Sequence, residues 1–313
     1  MLQSIWDDIK QEFGYGNMIK RIIIVNVAVY VTVNLLWVIM IGSYPELYKG
    51  IVHFFSMPSD WLHLLTHPWA PLTHMFLHEG FFHILWNMLF LFWFGRIFGD
   101  LLGDRRVLPL YLIGGLGGAI FYFLAANLGA VPGTSFALGA SAAVMAILVA
   151  AGMTAPDYQI RLLFLGNVKL KWIVVALVFM NVLGTRGISN VGGAWGHLGG
   201  IATGFLFAYR LQRGNDMTAP VARLIDKVTD FYHSLRQPKR KSRPGPRAAY
   251  RRGEKVKSGS RPSSASKKSS GKRAPKSVSH QEQLDAILDK IKDRGYNSLT
   301  QEEKEFLFNA SNK

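Results

Sequence analysis

Hydrophobic positions along the chain gather into six long runs, the first two separated by a long loop, Gly42 to Gly80, and the rest by shorter breaks: Ile22 to Ile41, Phe81 to Leu102, Val107 to Leu128, Leu138 to Thr154, Val168 to Leu183 and Ala194 to Leu211. A helix needs roughly 20 apolar residues to cross a hydrocarbon core of about 30 Å. The fourth and fifth runs fall short of that, so they span only inside a bundle that buries their flanks. The pattern therefore predicts an all-α, polytopic membrane protein whose core is a bundle of six transmembrane helices.

Past the sixth run the pattern changes twice. The stretch "APVARLIDKVTDFYHSLR" sets Val221, Leu224, Ile225, Val228, Phe231, Tyr232 and Leu235 on one helical stripe. Such a helix lies on the inner membrane surface or packs on the loops, and the stripe alone does not choose between them. From 236 to 278 no apolar period survives. Then Leu284, Ile287, Leu288 and Ile291 recur at helical spacing, Gly295 is a stop, and Thr300 with Glu303 forms a capping box for a second short helix. The resulting organisation is an N-terminal segment (1–18), a six-helix core (19–212), an amphipathic helix (213–235), a linker (236–278) and a small helical hairpin (279–313).

Charge sharpens this division. The net charge is +16, and the segment Arg236 to Lys276 alone holds sixteen Lys and Arg against one acid, Glu254. That segment is also rich in Pro, Gly and Ser, so it cannot bury enough apolar surface to offset its chain entropy and reads as a disordered basic linker. Contact with anionic lipid suits it better than specific nucleic-acid binding, because a single aromatic residue, Tyr250, stands among its sixteen cations and no folded scaffold supports them. The first sixteen residues mix charged and apolar positions without a small-residue cleavage pattern, and no removed signal peptide is expected. The chain has no cysteine, which excludes disulfides and thiolate metal sites.

The remaining cations orient the bundle. With the N-terminus inside, the inner segments collect Lys10, Lys20, Arg21, Arg96, Arg105, Arg106, Arg161, Lys169, Lys171, Arg210 and Arg213, while the outer loops hold only Lys49 and Arg186. Lys and Arg are retained on the cytoplasmic side, so both termini are expected there, in a plasma (inner) membrane.

In that topology four polar residues from distant parts of the chain share one outer layer: His83 and Asn87 in the second span, Ser141 in the fourth and His197 in the sixth. Polar side chains at membrane depth are costly, so each is either a functional group or a glue between helices. Taken alone, each has an ordinary packing reading. Ser141 lies among Gly139, Ala140, Ala142 and Ala143, and His197 lies on a helix where Gly196, Gly200 and Gly204 recur every four residues. Together, a serine on a small-residue helix start and a histidine on a glycine-faced helix make the contact in which a hydroxyl donates to imidazole and becomes a nucleophile. His83 and Asn87, four apart on one face, supply donors for a developing oxyanion, and His78, His83 and Asn87 are the polar groups available to line a water-filled cavity. No Asp or Glu lies near His197 in these outer-layer helices, so a two-residue dyad is expected.

The combination "HEGFFHILWN" (His78, His83, Asn87), "GAS" at Gly139 to Ser141 and "GHLGGIATG" from Gly196 to Gly204 resembles the rhomboid family of intramembrane serine proteases, over roughly residues 20 to 212. The resemblance implies a Ser141/His197 dyad. It places Gly139, His83, Asn87 and the Ser141 backbone amide around the oxyanion, and it implies transmembrane proteins as substrates, cut near their outer ends without a cofactor. Three positions depart from the family pattern: Ala70 follows Trp69 where many members carry arginine, Met145 stands where a tyrosine often stacks on the histidine, and Ala142 replaces a glycine.

Two rival readings are weaker. Six of the nine histidines fall between His53 and His83, but His78 and His83 are five apart, about 140° around a helix, so they cannot share a zinc ion as His-Glu-x-x-His does. A catalytically inactive rhomboid-like protein that binds or escorts membrane clients is the other alternative; inactive members normally lack the serine or the histidine, and both are present.

Overall fold

The computed structural model describes all residues except 1, 41, 132, 134, 163–165, 188–189, 237–279, 295–298 and 312–313. The basic linker and the proposed stop at Gly295 lie outside the described residues. The chain divides into two compact units, Met1–Lys241 and Ser242–Lys313.

The first unit is helical: α1 (Leu2–Tyr15), α2 (Met18–Met40), α3 (Pro45–Phe55), α4 (Trp61–Thr66), α5 (Ala70–Thr73), α6 (Phe81–Leu102), α7 (Val107–Asn127), α8 (Ser141–Thr154), α9 (Leu170–Gly184), α10 (Val191–Gln212) and α11 (Ala219–Arg236). Two small antiparallel ladders interrupt it: β1 (Met57–Pro58) with β2 (Phe136–Ala137), and β3 (Gln159–Leu162) with β4 (Gly166–Lys169). Three stretches are long and apolar enough to cross a membrane: α2, α6, and α7 together with the 3-10 turn before it. At 14 and 15 residues, α8 and α9 are shorter, and α10 spans 22 residues of which six are glycine.

The ladders correct two expected helix starts. The fourth helix begins at Ser141, not Leu138, because Phe136 and Ala137 pair with Pro58 and Met57 and Gly139 takes φ +122°. The fifth begins at Leu170, not Val168, because Val168 belongs to the β3–β4 hairpin.

Position in the bundle follows side-chain size. The central helix is α8, whose residues from Ala142 to Gly152 are nearly all buried. Its alanines let α7 and α10 approach to backbone contact. A Cβ built on Gly200 would lie 2.1 Å from the Ala142 carbonyl oxygen, and one on Gly204 would lie 2.3 Å from that of Ala146. The glycine face of α10 therefore seats α8, as its spacing suggested, except that Gly196 looks toward α7, with Gly118 O at 3.7 Å as its nearest neighbour. On the periphery, α2 turns Val31, Leu35, Val38 and Ile39 outward, each more than half exposed, and α9 does the same with Trp172, Phe179 and Met180. Such apolar faces are stable against lipid, not water.

One end of the bundle is tied by polar contacts. The Asp104 carboxylate accepts from Met18 N at 2.9 and 3.0 Å, capping α2, and Arg106 Nε donates to Asp216 Oδ2 at 2.7 Å. The start of α2, the α6–α7 turn and the end of α10 thus share an end, as the alternation of cation-rich segments requires. Arg105 pairs with Asp226 of α11. On that helix Leu224, Val228, Phe231 and Leu235 are exposed while Val221 and Ile225 are half-buried, so only the first part of its apolar stripe packs on the bundle.

The second unit contains α12 (His280–Arg294) and α13 (Gln301–Ser311). The capping box is present: Thr300 N donates to Glu303 Oε2 at 2.8 Å and Glu303 N to Thr300 Oγ1 at 3.3 Å. Lys290 Nζ bonds both Glu303 oxygens at 2.8 Å, joining the two helices. Ile287 and Leu299 are buried, whereas Leu288, expected on the apolar stripe, is 48% exposed; with so few apolar residues the hairpin covers only a narrow seam.

Candidate active site

Ser141 is the first residue of α8, and everything before it works to hold a sharp turn. β2 is pinned to β1, and Ser59 N donates to Ser135 O at 2.9 Å. Ser135 is fixed in turn by Ser59 Oγ and the Tyr122 hydroxyl. Gly139 N then donates to His74 O at 2.9 Å, and Ala140 N to His78 Nε2 at 3.3 Å. Only glycine serves at 139. Its φ of +122° disfavours any side chain, and a Cβ there would sit 2.7 Å from His83 Nε2.

These contacts sort the expected site residues. His78 is fully buried and does not line the cavity; it braces the turn from behind, which corrects its expected place at the water-facing surface. The amide of Gly139 is already engaged by His74 O, so glycine matters there for its conformation and its missing side chain, not as an oxyanion donor. The Ser141 amide, at the first position of α8, has no acceptor within its helix.

The serine and histidine meet. Because α10 approaches α8 at backbone contact one turn below, His197 Nε2 lies 2.7 Å from Ser141 Oγ. His197 Nδ1 lies 2.6 Å from Asn181 Oδ1 of α9, and the Asn181 Nδ2 donates to Leu177 O at 2.7 Å. Asn181 is absent from the sequence reading, although a polar residue near the end of an apolar run is the signal that singled out the other four.

Above the pair opens a cleft of about 740 Å³. Ser141, His197, His83 and Asn87 line it, with Phe82, Trp86, Phe90 and Met145 as its apolar walls. Asn87 is 7% exposed, and its Nδ2 donates to His83 O at 2.9 Å, which fixes the amide and leaves its second proton for the cleft. The arrangement offers a hydroxyl in contact with a base, with N–H donors grouped nearby inside a largely apolar cleft: the requirements of acyl transfer. Ala70, the first residue of α5, is fully buried. Among the described residues no group of three or more His, Asp or Glu side chains is placed to hold a metal ion.

Two stretches of the chain match family models. Residues 65–214 match the family model for the rhomboid domain, and residues 275–313 match a family of unknown function (DUF6576). The chain is similar to RHOMBOID-like protein 12, mitochondrial, of Arabidopsis thaliana, with 33% identity over 156 residues, 46% of each chain. It is also similar to RHOMBOID-like protein 4 of the same plant, with 34% identity over 147 residues, 46% of this chain and 34% of the relative. The chain spans less than half the length of these relatives. Together with the apolar helices, the match identifies an integral membrane protein.

Proposed function

The chain belongs to the rhomboid family, and from that premise we propose that it is an intramembrane serine endopeptidase, hydrolysing peptide bonds in or near the transmembrane segments of membrane proteins. The observation that carries this reading is the 2.7 Å contact between Ser141 Oγ and His197 Nε2 on the wall of the cleft. In acylation, Ser141 Oγ attacks the scissile carbonyl carbon as its proton passes to His197 Nε2. The carbonyl oxygen gathers charge beside the Ser141 amide, the Asn87 amide and His83. Collapse of the adduct breaks the C–N bond, and His197 returns the proton to the leaving amine. Water entering the cleft repeats the sequence on the acyl-enzyme, so nucleophile and base both come from the chain and no cofactor enters.

Further readings accompany this one. Substrates are single-span or other transmembrane proteins whose helices unwind locally, since backbone carbonyls in a regular helix are already bonded. Both termini lie on the cytoplasmic side of a plasma (inner) membrane, with α11 on the lipid surface and the basic linker attracted to anionic headgroups. The test uses detergent-purified protein, a fluorophosphonate probe and a generic single-span substrate. Ser141→Ala and His197→Ala should each abolish labelling and cleavage. Persistent activity of Ser141→Ala overturns the mechanism, and a wild type that neither labels nor cleaves favours a client-binding role.

A further inference from the structure

Asn181 stands out in α9. Between Lys171 and the end of the helix every other residue from Trp172 to Leu183 is apolar, yet Asn181 is partly buried and directed at His197. Its two hydrogen bonds have a forced direction. Leu177 O is a carbonyl and only accepts, so the group facing it at 2.7 Å is the amide NH₂. The amide oxygen is thereby turned to His197 Nδ1 at 2.6 Å, and that oxygen also only accepts. Nδ1 must carry the ring proton, which leaves the lone pair on Nε2, the atom 2.7 Å from Ser141 Oγ.

We propose that Asn181 is a positioning residue for the base: through its amide oxygen it fixes the imidazole of His197 in the Nδ1–H tautomer and in the ring orientation that accepts the Ser141 proton. The chain of donors runs Ser141 Oγ–H to His197 Nε2, His197 Nδ1–H to Asn181 Oδ1, and Asn181 Nδ2–H to Leu177 O. Each link has one polarity, so the far end, a backbone carbonyl of α9, sets the near one. Without the amide, a neutral imidazole divides between two tautomers, and the one protonated at Nε2 cannot accept from serine. The ring would also lose the contact that keeps it from rotating away from Ser141. Asn181 touches neither the serine nor the cleft, so its effect passes entirely through His197.

This inference rests on the Ser141/His197 reading above, and the test separates the two. The rate of fluorophosphonate labelling of the full chain in detergent is measured against pH for wild type, Asn181→Leu, Asn181→Asp and Ser141→Ala, with thermal unfolding followed in parallel. Leucine keeps the branched outline and the number of heavy atoms and removes the acceptor; labelling should fall about 10- to 100-fold with the protein still folded. Aspartate keeps an acceptor; labelling should stay within about tenfold of wild type, with the acid limb of the profile moved to higher pH, because a carboxylate beside Nδ1 favours the protonated ring. A residue that only packs would move neither limb. Wild-type rate and profile in Asn181→Leu overturn the proposal, as do equal losses in both variants with an unmoved profile. If Asn181→Leu does not fold, the Asn181→Asp profile decides: an unshifted acid limb refutes the role. Labelling that survives in Ser141→Ala instead removes the dyad, and with it the proposal.

Discussion

Adding one methyl group to α10 should break catalysis while leaving the fold standing. A Cβ at Gly200 would lie 2.1 Å from the carbonyl oxygen of Ala142 and 2.7 Å from its carbon, both backbone atoms that no rotamer change can move. Relief to an ordinary carbon–oxygen contact of roughly 3.3 Å requires about 1.2 Å of separation between α8 and α10. Ala142 adjoins Ser141 and Gly200 lies one turn from His197, so most of that separation passes to the pair. The 2.7 Å contact between Oγ and Nε2 would open toward about 3.9 Å, beyond hydrogen-bond range. Overpacking of this kind costs about 1 to 3 kcal/mol of stability, and displacing reacting groups by about 1 Å costs on the order of 100-fold in rate. Gly196 is the control. A Cβ there meets nothing closer than Gly118 O at 3.7 Å, so Gly196→Ala, although adjacent to His197, should remain active. The assay is the rate of fluorophosphonate labelling and of substrate cleavage for both variants, with Tm measured alongside. Near wild-type rates in a well-folded Gly200→Ala protein, or equal losses in both variants, would refute the argument that helix approach sets the serine–histidine distance.

Two further outcomes follow from the site and its surroundings. Replacing Asn87 by alanine removes a donor held by His83 O on the cleft wall, and turnover should fall about 10- to 1000-fold with the fold retained; an unchanged rate in a stable preparation would rule out the oxyanion role. In the first loop His63 stacks on His67 with ring centroids 4.1 Å apart. Burial, then the neighbouring His67 and His53, outweigh the pull of Asp60 and hold its pKa below the ordinary imidazole value. The unfolded chain therefore takes up the proton first, so this contribution to stability is present above a pH of about 6.5 and is lost as the pH falls below it. Thermal unfolding should show Tm decreasing between roughly pH 7 and pH 5, with a flatter dependence in His63→Phe; parallel slopes for the two proteins would exclude this histidine as the cause.

What could be read in the sequence depended on whether a feature leaves a period. Helices facing lipid and helices packed on glycine both do, which is why the boundaries of α6 were legible to the residue and the small-residue face of α10 was recognisable. A capping box is a local pair, and Thr300 with Glu303 could be found from spacing alone. A two-residue strand leaves no period. The β1–β2 ladder was invisible, and with it the reason that α8 starts at Ser141 instead of three residues earlier. The roles of Gly139 and His78 were hidden for a related cause: both residues belong to the site, but which of their atoms are free depends on where His74 O and Ala140 N fall, and that is set by long-range pairing.

The omission of Asn181 has a different origin. In soluble sites an acid orients the histidine, and the outer-layer helices hold no Asp or Glu near His197 to take that place. At membrane depth that choice of residue type is the unfavourable one. An ionised carboxylate next to a neutral imidazole carries a desolvation cost that their mutual attraction does not offset until the ring is protonated. An amide oxygen orients Nδ1–H equally well, brings no charge, and can have its own NH₂ satisfied by the helix it stands on, as Leu177 O does here. It gives less stabilisation to the imidazolium once the proton has moved. That loss falls on the rate, whereas a buried charge would weigh on the resting protein at all times, and in a bundle whose central helix is built from alanine against glycine the second burden is the harder one to carry.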